Sequence, residues 1–166
     1  MAISGDVYKQ IGRSSAGAVS IVAAYASESN TPVGLTVSSF ATLSFEPPLV
    51  MFAIQHNAES YPALVSSKVF GVSLLSVAQA DTAQLFATKG PAKIAKTKFD
   101  QGATLRVPLI SCALAQVECL TQQIVLSGDH AIIVGLVEDA RTYDGEPLLY
   151  FSRRYGRFVP LEQPRI

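Results

Sequence analysis

Short runs of Val, Ile, Ala and Thr, each closed by Gly, Pro, Asn or Asp, recur along most of this chain. That punctuation constrains the fold more than any other feature. β-Branched residues lose rotamer freedom in a helix but pack well on a pleated sheet, and the closing residues supply the backbone angles of turns. The runs predict strands over residues 18–26, 33–40, 49–55, 69–75, 113–121, 131–143 and 148–151. Seven strands within 166 residues predict a sheet that closes on itself. Short helices fit at 60–65, where Ser60 stands as N-cap ahead of Pro62, at 81–87, which opens on Asp81, and near Asp6. Strands and helices do not alternate as βαβ units do, so the expected fold is mainly β, an antiparallel barrel with a few accessory helices. Residues 91–106 carry Lys93, Lys96, Lys98 and Asp100-Gln101-Gly102, a polar stretch expected as a surface excursion, with a mobile flap one form it could take.

A chain of this length supports one domain, expected over 1–166. Its 13 Lys and Arg balance 13 Asp and Glu, leaving no basic face to hold nucleic acid. Apolar residues make up 49% of the chain and charged ones 16%, more apolar surface than a small monomer hides, which predicts a homodimer. No apolar run reaches the ~20 residues of a spanning helix, and the N-terminus lacks the basic-then-apolar layout of a signal peptide. A cytoplasmic protein with no membrane partner is expected. Cys112 and Cys119, seven apart, would face opposite ways on a strand and read as reduced, packed thiols.

The usual motifs of serine hydrolases, Rossmann domains, P-loops and zinc sites do not occur, and two distant histidines give no metal site. Polar residues concentrate instead in Gly34-Leu35-Thr36-Val37-Ser38-Ser39-Phe40, in Gln55-His56-Asn57-Ala58-Glu59-Ser60 and in Phe86-Ala87-Thr88-Lys89-Gly90. Hydroxyls at strand ends, an N-cap serine and a lysine beyond a helix suit an anionic phosphate, and they equally suit ordinary turns and caps. The stretch "SGDHAIIVGLV" adds a turn that delivers His130 into an apolar strand, either as a polar rim residue or as a group that something outside the strand requires.

The order of these pieces resembles the flavin reductase-like family, the reductase components of two-component flavin monooxygenases, which are FMN-binding split barrels. The resemblance runs from Tyr8 through "AGAVSIV", "PVGLTVSSFATLSFEPPLVMFAI", "FGVSLLS", "QLFA", "GDHAIIVGLV" and "PLLYFSRRYG", covering most of the chain. Two places depart from the family pattern: Ala92-Lys93-Ile94 replaces an Asp-Lys-Phe group, leaving open whether Lys89 or Lys93 reaches the flavin phosphate, and Ser15-Ala16 replaces a proline.

The resemblance implies an antiparallel split β-barrel of Greek-key type, binding FMN or FAD and using NADH or NADPH. Transferred residue by residue, it places the flavin ring against Thr36, Val37, Ser38 and Ser39, its pyrimidine edge near Ala53, Ile54 and Gln55, and its ribityl phosphate near Asn57, Ser60 and Lys89. Simple capping is the alternative for Ser60, and a polar sheet face for Thr36 and Ser38. His130 and Arg154 are implied to meet the nicotinamide substrate, with Asp129 shaping the turn. Tyr150, Arg153, Arg154 and Tyr155 match the terminal segment, which the resemblance implies lies near the cofactor with the arginines toward the dinucleotide phosphates; a solvated charged tail is the alternative. Hydride passes between the two cofactors, so no catalytic side chain is expected, and a separate monooxygenase is the implied recipient of reduced flavin. Two other readings are a non-catalytic flavin-binding module and a reductase of a non-flavin acceptor that keeps its flavin as a prosthetic group.

Overall fold

The computed structural model describes residues 3–27 and 29–161. Its strands are β1 (Gly17–Ala18), β2 (Ser20–Tyr25), β3 (Pro32–Val37), β4 (Ala41–Phe45), β5 (Pro48–Gln55), β6 (Val69–Leu74), β7 (Phe99–Gln101), β8 (Pro108–Ile110), β9 (Ala115–Ser127), β10 (His130–Thr142), β11 (Leu149–Phe151) and β12 (Arg154–Gly156). The helices are α1 (Gly5–Ser14), α2 (Tyr61–Ser66), α3 (Ala80–Phe86) and α4 (Ala92–Ala95). Seven strands form one antiparallel sheet in the order β3-β2-β6-β9-β10-β5-β4, and β1-β11-β12 form a second. This is the mainly β, split-barrel architecture that the strand pattern and the resemblance imply.

β2 shows why the sheet sits inside the molecule. Val22 and Ala24 enter one core cluster with Phe52, Ile54, Phe70, Val72 and Ile133, while Ile21 and Ala23, one residue out of phase, enter another with Phe86, Ile110 and Leu148. The two-residue period of a strand sends alternate side chains to opposite faces, so both faces of β2 must be covered and Ser20-Ile21-Val22-Ala23-Ala24 is buried throughout. α3 and the β11–β12 hairpin cover the second face, and among the described residues no helix is long and apolar enough to cross a membrane.

The strand expected at 33–40 stops at Val37, where the chain bends at Ser38 and restarts as β4. β9 runs on to Ser127, six residues past the expected end, as one arm of a ribbon with β10. α3 is capped by Gln79, leaving Asp81 in its first turn rather than at the cap. The expected polar excursion is partly anchored: Phe99 meets Phe86 edge-to-face, and Lys93 is buried. Cys119 packs within β9, and burial, helped by Glu118, pushes its thiol up to about 12. Cys112 corrects the expected pair: it lies exposed outside any strand, with φ of 60°.

Candidate functional site

β3, one edge of the seven-stranded sheet, and β5, next to the other edge strand β4, share no ladder. One side chain joins them: Ala53 N–H donates to Ser39 Oγ at 3.0 Å, and the Ser39 hydroxyl donates to the Ala53 carbonyl at 3.2 Å. A hydroxyl that donates and accepts reproduces the pair of bonds a neighbouring strand would make. A cleft of about 310 Å³ opens at this seam, lined by Leu35, Thr36, Val37, Ser38, Ser39, Ala53, Ile54, Gln55, Ala58 and His130. Seven of the expected flavin contacts and the expected nicotinamide histidine therefore share one wall.

His130 arrives there through the hairpin. Gly128 takes a left-handed φ of 60°, the chain reverses over Gly128 and Asp129, and His130 opens β10 opposite Gln55 of β5. Its Nδ1 lies 2.6 Å from Asp129 Oδ1, and this hydrogen bond, with the attraction of the imidazole, holds the Asp129 carboxyl below its usual range. The Asp129 carbonyl accepts from His56 N–H at 3.0 Å, stitching the turn to the loop after β5. Asp129 thus both shapes the turn and orients the imidazole, leaving Nε2 for whatever enters the cleft that His130 lines.

Not every expected contact points its polar group at the cleft. The Thr36 hydroxyl donates to the Ala83 carbonyl at 2.7 Å, a second bond on an acceptor that Ala87 N–H already meets at 3.1 Å, and so ties β3 to α3. Asn57 is exposed in the turn after β5, and Lys89 is exposed beyond α3. Ser60 is buried as the α2 cap residue without a capping hydrogen bond, and its Oγ has no partner. It lines a separate cavity of about 170 Å³ with Gly34, Glu59, Gly90 and Lys93. There the Lys93 ammonium sits 3.3 Å from both Glu59 Oε2 and the Thr88 carbonyl. Gly90 N–H, donating at 3.0 Å, and then Lys93 hold the Glu59 carboxyl below its usual range. Glu59 was not singled out by sequence; its place just before a cap serine was the available signal.

A second cleft of about 340 Å³ adjoins the first along β3 and is lined by Val19, Thr36, Val37, Ser38, Gln84, Ala87, Tyr150, Arg153 and Tyr155. The arginine on its wall is Arg153; Arg154 starts β12 as an exposed residue.

The lining at the seam suits a flat, polar-edged ring: apolar side chains from both strands, the Ser38 hydroxyl, the Gln55 amide and an oriented imidazole. Residues 12–158 match a family described as flavin reductase like domain. The 4-hydroxyphenylacetate 3-monooxygenase reductase component of Thermus thermophilus is 36% identical over 155 residues, 93% of this chain and 97% of that protein. The FMN reductase (NADH) SmoA of Agrobacterium fabrum is 36% identical over 129 residues, 76% of this chain and 72% of that one. A solved NADH:FAD oxidoreductase of Streptomyces globisporus, in complex with NAD and FAD fragments, superposes with a TM-score of 0.87 at 28% identity, covering 98% of this chain and 99% of that one.

Proposed function

The chain belongs to the flavin reductase-like domain family, and from that premise we propose that it transfers hydride from NADH or NADPH to FMN or FAD and supplies the reduced flavin to a partner monooxygenase. The observation that carries this reading is the seam cleft, where Thr36 to Ser39, Ala53 to Gln55 and His130 line one space. When bound, the flavin accepts the hydride that the reduced nicotinamide gives up, chemistry that resides in the two cofactors. The protein's part is positioning. β3 and β5 present a rigid wall for the ring, Ser39 fixes the spacing between them, and His130, held by Asp129, offers Nε2 to the nicotinamide carboxamide. Lys89 supplies charge for the flavin phosphate, since the Lys93 ammonium is already held by Glu59 and the Thr88 carbonyl.

The test is steady-state oxidation of NADH and NADPH with FMN, FAD or riboflavin as acceptor. Turnover is expected, and its absence with every pair would leave the flavin-binding module as the reading. His130→Ala is expected to raise KM for the reduced nicotinamide about tenfold, the loss of one strong hydrogen bond, with a smaller change in kcat. Wild-type values for both constants would remove His130 from the site.

The protein works as a homodimer. Leu43 and Phe45, the latter 99% exposed, lie on the edge strand β4. Leu126 lies on the far half of β9, whose pairing with β6 ends at Leu120. None of the ten residues of α1 is buried, although it is shorter than the ~12–15 residues that an isolated helix needs. Exposed apolar edges of this kind call for cover, and a second copy supplies it in a self-complementary way. Sedimentation is expected to give a dimer, and Phe45→Glu a monomer that still folds; a monomeric wild type would overturn the assignment.

A further inference from the structure

Gly17 lines neither of the two clefts on β3, yet its position bears on both. It stands in β1 directly opposite Tyr150 of β11. Two residues on, Val19 joins the two sheets: its N–H donates to the Leu148 carbonyl at 2.9 Å, and its carbonyl accepts from Leu75 N–H, at the end of β6, also at 2.9 Å. β1 is therefore anchored where the β11–β12 hairpin meets the main sheet.

The direction a side chain would take from Gly17 leads to the bend at Ser38. A Cβ there would stand 2.7 Å from the Ser38 carbonyl oxygen and 3.3 Å from Ser38 Cβ, nearer than side chains ordinarily pack. Gly17 is not among the residues with positive φ, so the left-handed region does not account for a glycine here. Glycine weakens a strand, and one kept in a strand marks a bulge, a bend or the close approach of another backbone. Here the approaching backbone is the Ser38 peptide. The wall between the clefts is thus fixed at three points: the Thr36 hydroxyl on the Ala83 carbonyl, Gly17 against Ser38, and Ser39 on Ala53. Two are hydrogen bonds, and the middle one is a contact that only the lack of a side chain permits.

We propose that Gly17 is a positioning residue for the flavin: its missing side chain lets β1 seat against the Ser38 peptide, which sets where the wall from Thr36 to Ser39 meets the ring. The proposal rests on the flavin reductase reading above. A methyl group at Gly17 must displace either the Ser38 carbonyl or β1 together with Tyr150. Ser38 lines both clefts and Tyr150 the second, so either movement shifts a wall on which ligand binding depends. β1 is only two residues long and half-buried, so the wall moves before the fold fails.

Gly17→Ala tests this by fluorescence titration with FMN and riboflavin, which read flavin binding without turnover. It is expected to weaken both affinities about tenfold, to the same degree because the change acts at the ring, and to shift the visible absorption of the bound flavin. Gly71→Ala is the comparison: a Cβ there would meet the Pro108 carbonyl at 2.5 Å, the same kind of clash at a residue that lines neither cleft. It is expected to lower the melting temperature and leave flavin affinity within about twofold of wild type. Equal losses of affinity in the two variants would trace the effect to general loosening and overturn the proposal. If Gly17→Ala does not fold, deuterium exchange at Gly17 and Ala18 in the wild type decides. Coupling is reciprocal, so saturating FMN must slow exchange at these residues, and exchange unchanged by FMN would overturn the proposal. A wild type that binds neither flavin would refute the reductase reading and this proposal together, whereas a Gly17→Ala that binds flavin as the wild type does would refute this proposal alone.

Discussion

Gly135→Ala is expected to lower the melting temperature by about 6–12 °C, the equivalent of about 3 kcal/mol in a chain of this size. Gly135 sits on β10 between Val50 of β5 and Thr121 of β9. A Cβ there would stand 2.4 Å from Phe70 Cζ and 2.9 Å from Cys119 Cβ. Phe70 cannot swing away, because it is fully buried and meets Phe52 edge-to-face at 5.4 Å. The added methyl therefore forces the ring off its rotamer or parts the strands, which outweighs the ~0.4–1 kcal/mol that alanine gains by restricting the unfolded chain. Thermal unfolding measures the effect. Adding Phe70→Leu should recover part of it, since the second change removes the atoms the first one strikes, and strictly additive losses would point to another cause.

The same glycine shows how sequence and structure divide. In the pattern GDH-x-x-x-x-G the histidine and the glycine read alike as family markers, yet one lines a cleft and the other makes room for an aromatic ring. Strand existence was legible because β-branched runs and turn residues are local signals: β5, β6, β10 and β11 fall within a residue of their expected limits at each end. Features set by distant partners were not legible. Leu35 to Phe40 holds no glycine or proline to announce the bend at Ser38, beyond which Ser39 holds Ala53 across the seam. That Arg153, of the pair Arg153-Arg154, lines the second cleft was not legible, because Ser-Arg-Arg contains no glycine to announce a two-residue turn. Lys93 looked like a surface charge in a polar stretch, and its burial depends on Glu59, 34 positions earlier.

Ser39→Ala is expected to weaken flavin affinity about thirtyfold and to destabilise the fold by about 2–4 kcal/mol, because it removes the bonds that close the barrel seam. Both partners belong to the Ala53 backbone and are partly buried, and β5 has its ladder partners in β10 and β4, not in β3. Alanine leaves that N–H and carbonyl facing a strand end that offers nothing, and each unpaired group costs about 1–3 kcal/mol. The two effects share a cause: the seam residues that hold β3 to β5 also set the width of the cleft between them. Widening it would separate Thr36 to Ser39 from Ala53 to Gln55 and relax the wall on which the ring must lie flat. Urea unfolding and flavin fluorescence titration measure the pair, with Ser39→Thr as the control that keeps a hydroxyl and is expected to restore most of both. Loss of flavin affinity at unchanged stability would instead make Ser39 a direct contact of the flavin, and stability lost at unchanged affinity would show that the seam's width is set elsewhere.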